Sequence, residues 1–197
     1  MLIYMNNSFF LLVLKDLIIN PVKAWEIINS ENKPVRRIRN GYLFPVLLLI
    51  SISAIAGSFL YANAELSPVY SVFVGIKCFF LFLITVYATA FILKEITYPL
   101  DLGKDFAISF RLVAYSIAPF LACQFLSRFF ESLQFINVLA LYSLYIFWTG
   151  SEKLLTPPAY KRMPMLIATL ITFIGIYITG NFLFTKLIDR IYNAFLA

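Results

Sequence analysis

Five long apolar runs constrain the fold of this chain more than any other feature of its sequence. They extend approximately over residues 42–61, 69–93, 106–126, 133–149 and 165–184. A helix needs about 20 predominantly apolar residues to cross the hydrocarbon core of a bilayer. Because 61% of all residues are hydrophobic and only 13% are charged, the chain has too few charges to cover a soluble surface of its size. The sequence therefore predicts an all-α fold, a polytopic bundle of five transmembrane helices.

The fourth run, residues 133–149, is the shortest of the five, and it contains Asn137. It can form a full span if its helix extends towards Glu152 and Lys153, whose side chains can reach back to the membrane surface. A re-entrant hairpin is the alternative. We expect the full span, because its loss would disturb the distribution of basic residues across the membrane.

Residues 1–41 differ in pattern from the predicted membrane domain, residues 42–197. The segment FFLLVLKDLII, Phe9 to Ile19, is too short to cross a bilayer and is interrupted by Lys15 and Asp16. We therefore predict an interfacial helix there. A secretory signal peptide is the alternative, but no basic region precedes Phe9 and no small-residue cleavage site follows the apolar run.

A second short segment, PVKAWEII, follows directly. Pro21 occupies the favoured first turn of a helix, and Val22, Trp25 and Ile28 then share one face. Aromatic side chains on such helices commonly lie at headgroup depth. We therefore predict an amphipathic, cytoplasmic N-terminal segment in which Trp25 lies at the membrane interface.

Lysine and arginine residues predict the orientation of the chain. Twelve of them lie ahead of the first span or around the second and fourth connections, and four lie on the opposite side. The positive-inside rule therefore predicts a cytoplasmic N-terminus and, with five spans, a C-terminus outside. Arg36, Arg37 and Arg39 directly precede the first span, and each would add about 1 kcal/mol of attraction to anionic lipid. The basic residues flank apolar runs and form no patch interleaved with aromatics, so no nucleic-acid partner is predicted.

Residue types that carry most enzyme chemistry are rare in this sequence. It contains no histidine, and its two cysteines, Cys78 and Cys123, lie in apolar runs. Histidine metal ligands, Ser-His-Asp triads and histidine proton relays are therefore excluded. We expect the cysteines to act as small buried hydrophobes rather than as a disulfide or redox pair. Neither a cofactor nor a metal site is predicted, and the chain is not expected to be an enzyme.

Small residues recur at helical spacing in two of the runs. A face of this kind lets the backbone of another helix approach closely, either within one chain or between two copies. We expect packing within the chain, with homodimerisation as the alternative. The residues concerned are Ala168, Thr172, Gly175 and Thr179 in the fifth run, and Ser53 with Gly57 and Ala54 with Ser58 in the first.

The third run begins with FRLVAYSIAP, which contains polar and helix-breaking residues. Arg111 and Tyr115 share one helix face, and Ser116 follows. Pro119 removes a backbone hydrogen bond, so a kink is predicted there. Backbone groups freed by a kink need partners inside a membrane, which Ser116 or a hydroxyl of the fourth run can supply. The hydroxyl side chains at helical spacing in the fourth run are Tyr142, Tyr145 and Thr149.

Two basic residues lie near the ends of predicted spans. Arg111 is expected either to extend to the cytoplasmic interface or to pair with Asp105 or Glu152. Lys77 lies near the outer end of its span. It is expected to form an intramembrane ion pair with one of two acidic residues, Glu65 or Glu131.

The order of these parts resembles the Yip family, the Ypt/Rab-interacting membrane proteins with a five-span Yip domain, and in particular its prokaryotic members. The resemblance rests on NPVKAWEII as an interfacial lead-in, on RLVAYSIAP with its tyrosine and proline, and on YSLYIFWTG, which ends the fourth span at Gly150. It covers nearly the whole chain. It implies a multi-pass protein of a prokaryotic inner (plasma) membrane with the same orientation that the charges predict.

The resemblance implies little about activity. Eukaryotic members bind prenylated Rab GTPases, but the long cytoplasmic region with an acidic and aromatic motif that accompanies this role is not present in the sequence. Two hypotheses remain. The first is a non-enzymatic scaffold that organises membrane shape and holds a membrane-protein partner or a second copy. The second is a carrier or flippase-like transporter of a lipid or small solute, with the kinked third span and the side chains of Tyr115, Tyr142 and Tyr145 lining a path.

Overall fold

The computed structural model describes residues 9–61, 68–100 and 102–195, and within these ranges every regular element is helical. The predicted all-α fold class is therefore confirmed. A π-helical turn, Arg39–Leu43, connects α3 to α4, and a 3₁₀ helix, Glu131–Leu141, precedes α8. The α-helices are α1 (Phe9–Ile19), α2 (Pro21–Glu31), α3 (Val35–Ile38), α4 (Phe44–Tyr61), α5 (Pro68–Thr97), α6 (Phe106–Ser116), α7 (Ala118–Phe129), α8 (Tyr142–Leu154) and α9 (Ala159–Phe195).

Several of these helices are long and apolar enough to cross a membrane. Within the described residues, four stretches meet this criterion on their own, and α6 with α7 forms a fifth candidate that is bent by 43°. The chain therefore has four or five candidate spans, as expected for a multi-pass membrane protein. The four unbent candidates are Val35–Tyr61, Pro68–Thr97, Ser132–Leu154 and Ala159–Ala194.

The region of the predicted fourth span changes helix type along its length. It starts as the 3₁₀ helix, which has a non-helical residue at Leu133, and continues as α8. Because a 3₁₀ helix rises about 2.0 Å per residue and an α-helix about 1.5 Å, the 23 residues of Ser132–Leu154 are long enough to cross about 30 Å of hydrocarbon. The candidate span is thus longer than the predicted residues 133–149.

Helix α5 lies at the centre of the bundle, where it packs against α4, α6 and α9. Helix α4 also packs against α7, and α7 packs against the 3₁₀ helix. The N-terminal helices join this arrangement, since α2 packs against both α1 and α8. Their buried side chains Leu17, Ala24, Trp25 and Ile28 belong to the same hydrophobic core as those of α4 to α8.

Candidate functional site

Three aromatic side chains meet where α2, the π-helical turn and α6 come together. The Tyr42 and Tyr115 rings lie 4.8 Å apart, and the Trp25 ring meets Tyr115 edge-on at 6.2 Å. The indole Nε1 of Trp25 donates a hydrogen bond of 3.0 Å to the Ile146 carbonyl of α8. Trp25 is 0% exposed, so the structure places it inside the protein rather than on a surface that contacts headgroups.

Gly150 of α8 makes room for this tryptophan. A Cβ atom at Gly150 would lie 2.5 Å from two carbons of the Trp25 ring and 2.7 Å from the Leu112 side chain. These distances are far shorter than van der Waals contact, so only glycine allows the indole to pack here. The contact joins α2 firmly to α6 and α8.

Arg111 is buried beside the same cluster, but its partners differ from those expected. Its Nη2 donates to the side-chain oxygen of Asn32 at 2.6 Å and to the Lys33 carbonyl at 3.1 Å. Asn32 ends α2 in the left-handed conformation, with φ 40°, which orients its side chain towards α6. Of the expected partners, Asp105 instead accepts hydrogen bonds from the first backbone N–H groups of α6, and Glu152 pairs with Arg162.

The helix break lies between Ser116 and Ala118, just ahead of Pro119. Ile117 has φ −80° and ψ 6°, and Pro119 begins the next helix within its first turn. The hydroxyl of α8 that reaches the break is that of Ser143, and its Oγ accepts from the Phe120 N–H at 3.2 Å. The expected bond was the reverse, with a hydroxyl donating to a carbonyl freed by Pro119. The Ser116 hydroxyl is buried and makes no hydrogen bond within the described part of the chain.

A mainly apolar cavity of about 190 Å³ lies beside this break. It is bounded by α5, α6, α7, the 3₁₀ helix, α8 and α9. None of Tyr115, Tyr142 and Tyr145 lines it. The side chains at its polar edge are Thr89, Ser116, Asn137, Ser143 and Thr169, and large apolar residues such as Phe120, Phe147 and Phe173 form most of its wall.

Tyr142 and Tyr145 instead lie on the side of α8 that faces α1. Their rings are 5.5 Å apart, and the Tyr142 hydroxyl donates to the Ile18 carbonyl at 3.1 Å. Tyr145 is 48% exposed. The structure therefore brings Tyr115 and Gly150 together through Trp25, and separates the other two tyrosines from them.

The N-terminal arginines lie immediately ahead of α4. Arg36 and Arg37 are exposed on α3, and Arg39 is partly buried in the π-helical turn. The Arg39 Nε donates to the Asn40 side chain at 2.9 Å, and its guanidinium lies 5.4 Å from the centre of the Phe44 ring. This end of the bundle therefore presents positive charge next to apolar surface.

Lys77 donates a hydrogen bond of 3.0 Å to the Thr185 hydroxyl of α9. Its two predicted acidic partners, Glu65 and the side chain of Glu131, lie outside the described residues.

Both cysteines, Cys78 and Cys123, are free and buried. In the part of the chain that the structure describes, no group of three or more Cys, Asp or Glu residues is placed to hold a metal ion.

A second, polar cavity of about 490 Å³ was not predicted from the sequence. It lies among α4, α5, α7, the 3₁₀ helix and α9, and Arg128 of α7 is the charged residue of its described lining. The sequence contains a signal for it, because Gln124 and Arg128 lie four residues apart on one face of α7. From the sequence alone, Arg128 is only one of the four basic residues on the side opposite the N-terminus.

Comparison of the chain with protein-family models, with curated proteins and with solved structures finds no match.

Proposed function

We propose that this chain is an integral membrane scaffold of the Yip-domain type, which holds a membrane-protein partner or a second copy of itself and catalyses no reaction. The proposed protein has five spans, with α6 and α7 together forming a bent third span. Its N-terminus is cytoplasmic, its C-terminus is outside, and its location is a prokaryotic inner membrane. The support comes from the different environments of two small-residue faces and from the exposed basic N-terminal segment.

The small-residue face of α4 is used for packing within the chain. A Cβ atom at Gly57 would lie 1.8 Å from the Arg128 carbonyl oxygen, and the Ser53 hydroxyl donates to the Phe125 carbonyl at 2.6 Å. Helices α4 and α7 therefore approach as closely as their backbones permit. This face of α4 therefore packs within the chain, as expected.

The small-residue face of α9 is the observation that carries the proposal. Gly175 is exposed, and a Cβ atom there would meet nothing within 4 Å. Thr179, one turn further along, is also exposed. By contrast, Gly180 lies against the side chain of Leu81 in α5. One side of α9 thus packs on the bundle, while Gly175 and Thr179 are open to the close approach of another transmembrane helix. Ala168 and Thr172 of the same face are partly buried.

The test is a substitution that closes this face without changing the rest of α9. We expect Gly175→Leu to abolish chemical cross-linking between the chain and its neighbour in native membranes, because the larger side chain prevents close approach. Ile178→Leu changes an exposed α9 side chain without altering its volume and should leave cross-linking unchanged. Equal cross-linking in both variants would contradict the proposal.

The three arginines directly ahead of α4 offer a second test of the scaffold. We expect Arg36, Arg37 and Arg39 to contact anionic lipid, and each would add about 1 kcal/mol of attraction. Replacing all three with glutamine should weaken binding of the N-terminal segment to vesicles that contain anionic lipid and should reduce partner recovery. If vesicle binding and recovery both stayed at the wild-type level, this segment would have no part in the scaffold.

A carrier is the second candidate function, and the apolar cavity beside the break at Pro119 favours it. Broken helices and cavities near the middle of the membrane are common in carriers. Ala140 lines the cavity, so Ala140→Phe would fill it. If the chain is a lipid carrier, purified protein in vesicles should move a fluorescent phospholipid between leaflets, and Ala140→Phe should slow that movement. Absence of movement with the wild-type protein would exclude this role for phospholipids.

A further inference from the structure

The polar cavity among α4, α5, α7, the 3₁₀ helix and α9 is lined largely by hydrogen-bonding side chains. Its described polar lining supplies a guanidinium, amides and hydroxyls, and none of its described lining residues carries a carboxylate. Such a lining offers many hydrogen-bond donors and one full positive charge. Its principal donors are Ser58, Tyr61, Gln124, Arg128, Gln134 and Tyr177.

Arg128 is not neutralised by the rest of the described structure. Its Nε is buried and has no hydrogen-bond partner among the described residues. The ion pairs that the described side chains form do not include it. Its guanidinium lies 6.0 Å from the centre of the Phe82 ring. Arg128 is partly buried, and an anion in this cavity would supply its Nε–H with the acceptor that the described residues do not provide.

The position of Arg128 is fixed by its surroundings. Its backbone lies against Gly57 of α4, where no side chain would fit. The Gln124 amide donates to Asn137 at 3.2 Å, and the Gln134 amide donates to the Ser127 carbonyl at 3.3 Å. These contacts hold α7 and the 3₁₀ helix together around the cavity. The helices that carry the donor groups are therefore held in place by contacts within the chain.

The apolar cavity lies next to the polar one, because Asn137 lines both. The two cavities together offer a charged, hydrogen-bonding compartment beside a hydrocarbon-lined compartment. A phospholipid has two corresponding parts, a charged headgroup and apolar acyl chains.

We propose that the polar cavity binds a phosphate group through Arg128, and the adjacent apolar cavity favours a phosphate carried by a membrane lipid. Guanidinium groups bind phosphate oxygens through charge-assisted, often bidentate hydrogen bonds. The amide and hydroxyl donors around Arg128 supply further bonds. The site follows from the packing of the helices and requires neither the scaffold role nor transport.

The test measures thermal unfolding of the purified full chain in non-ionic detergent, titrated with inorganic phosphate, short-chain phosphatidic acid or short-chain phosphatidylcholine. We expect a saturable rise in the midpoint with phosphatidic acid. Arg128→Gln should weaken the apparent affinity about tenfold or more, since it removes charge-assisted hydrogen bonds worth at least one factor of ten. Arg128→Lys keeps the charge and should bind with intermediate affinity, so it remains informative if Arg128→Gln folds poorly. Arg190→Gln, which changes an exposed arginine of α9 outside the cavity lining, is the matched control.

The three ligands distinguish binding of free inorganic phosphate from binding of a phosphate carried by a lipid. A rise with phosphatidic acid alone identifies a lipid, and a rise with inorganic phosphate as well shows that the phosphate group suffices. Either result supports the site if it depends on Arg128. The site would be refuted by the absence of any saturable rise, or by equal affinities in the wild type, Arg128→Gln and Arg128→Lys. An equal response to phosphatidylcholine and phosphatidic acid would also refute an anion-selective site, since the zwitterionic lipid lacks net charge.

Discussion

The indole ring of Trp25 packs directly on Gly150, where a Cβ atom would lie 2.5 Å from two of its carbons. This relationship joins the N-terminal segment to the bundle, because Trp25 belongs to α2 and Gly150 to α8. The same indole donates to the Ile146 carbonyl one turn earlier. The N-terminal segment is therefore a structural part of the helical domain.

Gly150→Ala should destabilise the protein by about 1–3 kcal/mol, the usual cost of overpacking a well-packed core. The measurement is thermal or denaturant unfolding in detergent. Gly175→Ala is the matched control, because both glycines lie within α-helices but a Cβ atom at Gly175 meets open space. The control should be neutral or stabilising by up to about 1 kcal/mol, since alanine is the better helix former. Similar stabilities in the two variants would show that Trp25 does not pack on Gly150.

The interior position of Trp25 predicts its fluorescence. The chain has two tryptophans, so Trp148→Phe leaves Trp25 as the single emitter. We expect blue-shifted emission with little quenching by acrylamide or by lipids brominated near the headgroup, because Trp25 is enclosed by protein. Strong quenching by either agent would place Trp25 at the membrane surface, where the sequence alone had placed it.

The hydrogen bond between Arg111 and Asn32 predicts energetic coupling between these residues. Asn32→Gly keeps the left-handed helix end that glycine favours but removes the acceptor, and Arg111→Met removes the donor. Each should destabilise the protein by about 1.5–3 kcal/mol, as for other hydrogen bonds to charged groups. Unfolding of the two single variants and the double variant should give a coupling of about 0.5–3 kcal/mol.

A second cycle distinguishes this contact from the ion pair that the sequence indicated. Asp105→Asn retains a side chain able to cap α6 but removes its charge. We expect it to show little coupling to Arg111→Met, because Asp105 bonds the backbone of its own helix. Strong coupling to Asp105 together with none to Asn32 would contradict the observed geometry.

The ion pair between Glu26 and Lys153, 2.7 Å long, predicts a pH dependence. The hydrogen bond and the positive charge of Lys153 hold the pKa of the Glu26 carboxyl below its ordinary value of 4.5. The pair therefore stabilises the folded chain above about pH 4.5, and this contribution is lost as the pH falls through the lowered pKa. We expect Glu26→Gln to be less stable than the wild type at neutral pH and equally stable at low pH.

Salt provides the control for this pair, since both side chains are partly exposed. Molar salt should reduce the difference between Glu26→Gln and the wild type at neutral pH, because exposed charges are screened. Lys153→Gln should reproduce the loss, and combining the two substitutions should add little. A difference that persisted unchanged at low pH would show that Glu26 acts through packing rather than charge.

The sequence predicted the helical class and the positions of the apolar helices well, because lipid requires long apolar runs and satisfied backbones. Residue 61 ends both the predicted first run and α4. The break near residue 117 lies where Pro119 predicts it, since proline cannot continue a helix from the preceding turn. Both predictions depend only on residues close together in the sequence, so a single sequence is enough to make them.

Contacts between distant residues were not predictable in the same way. The indole of Trp25 meets a glycine of α8, and Arg111 bonds an amide at the end of α2. Both depend on how helices far apart in sequence pack together. The side-chain partners expected for Arg111 were carboxylates, although a neutral oxygen positioned by a left-handed helix end also accepts a hydrogen bond from a guanidinium. The polar cavity around Arg128 was missed for a similar reason, because five elements contribute to it.

The most direct test of the scaffold is quantitative mass spectrometry of the chain purified gently from its native membrane at natural abundance, with Gly175→Leu purified in parallel. We expect a membrane-protein partner or a second copy at near-equal amount in the wild type, and its loss in Gly175→Leu. Recovery of the wild-type chain alone, or the same neighbours in equal amount with both proteins, would contradict the account.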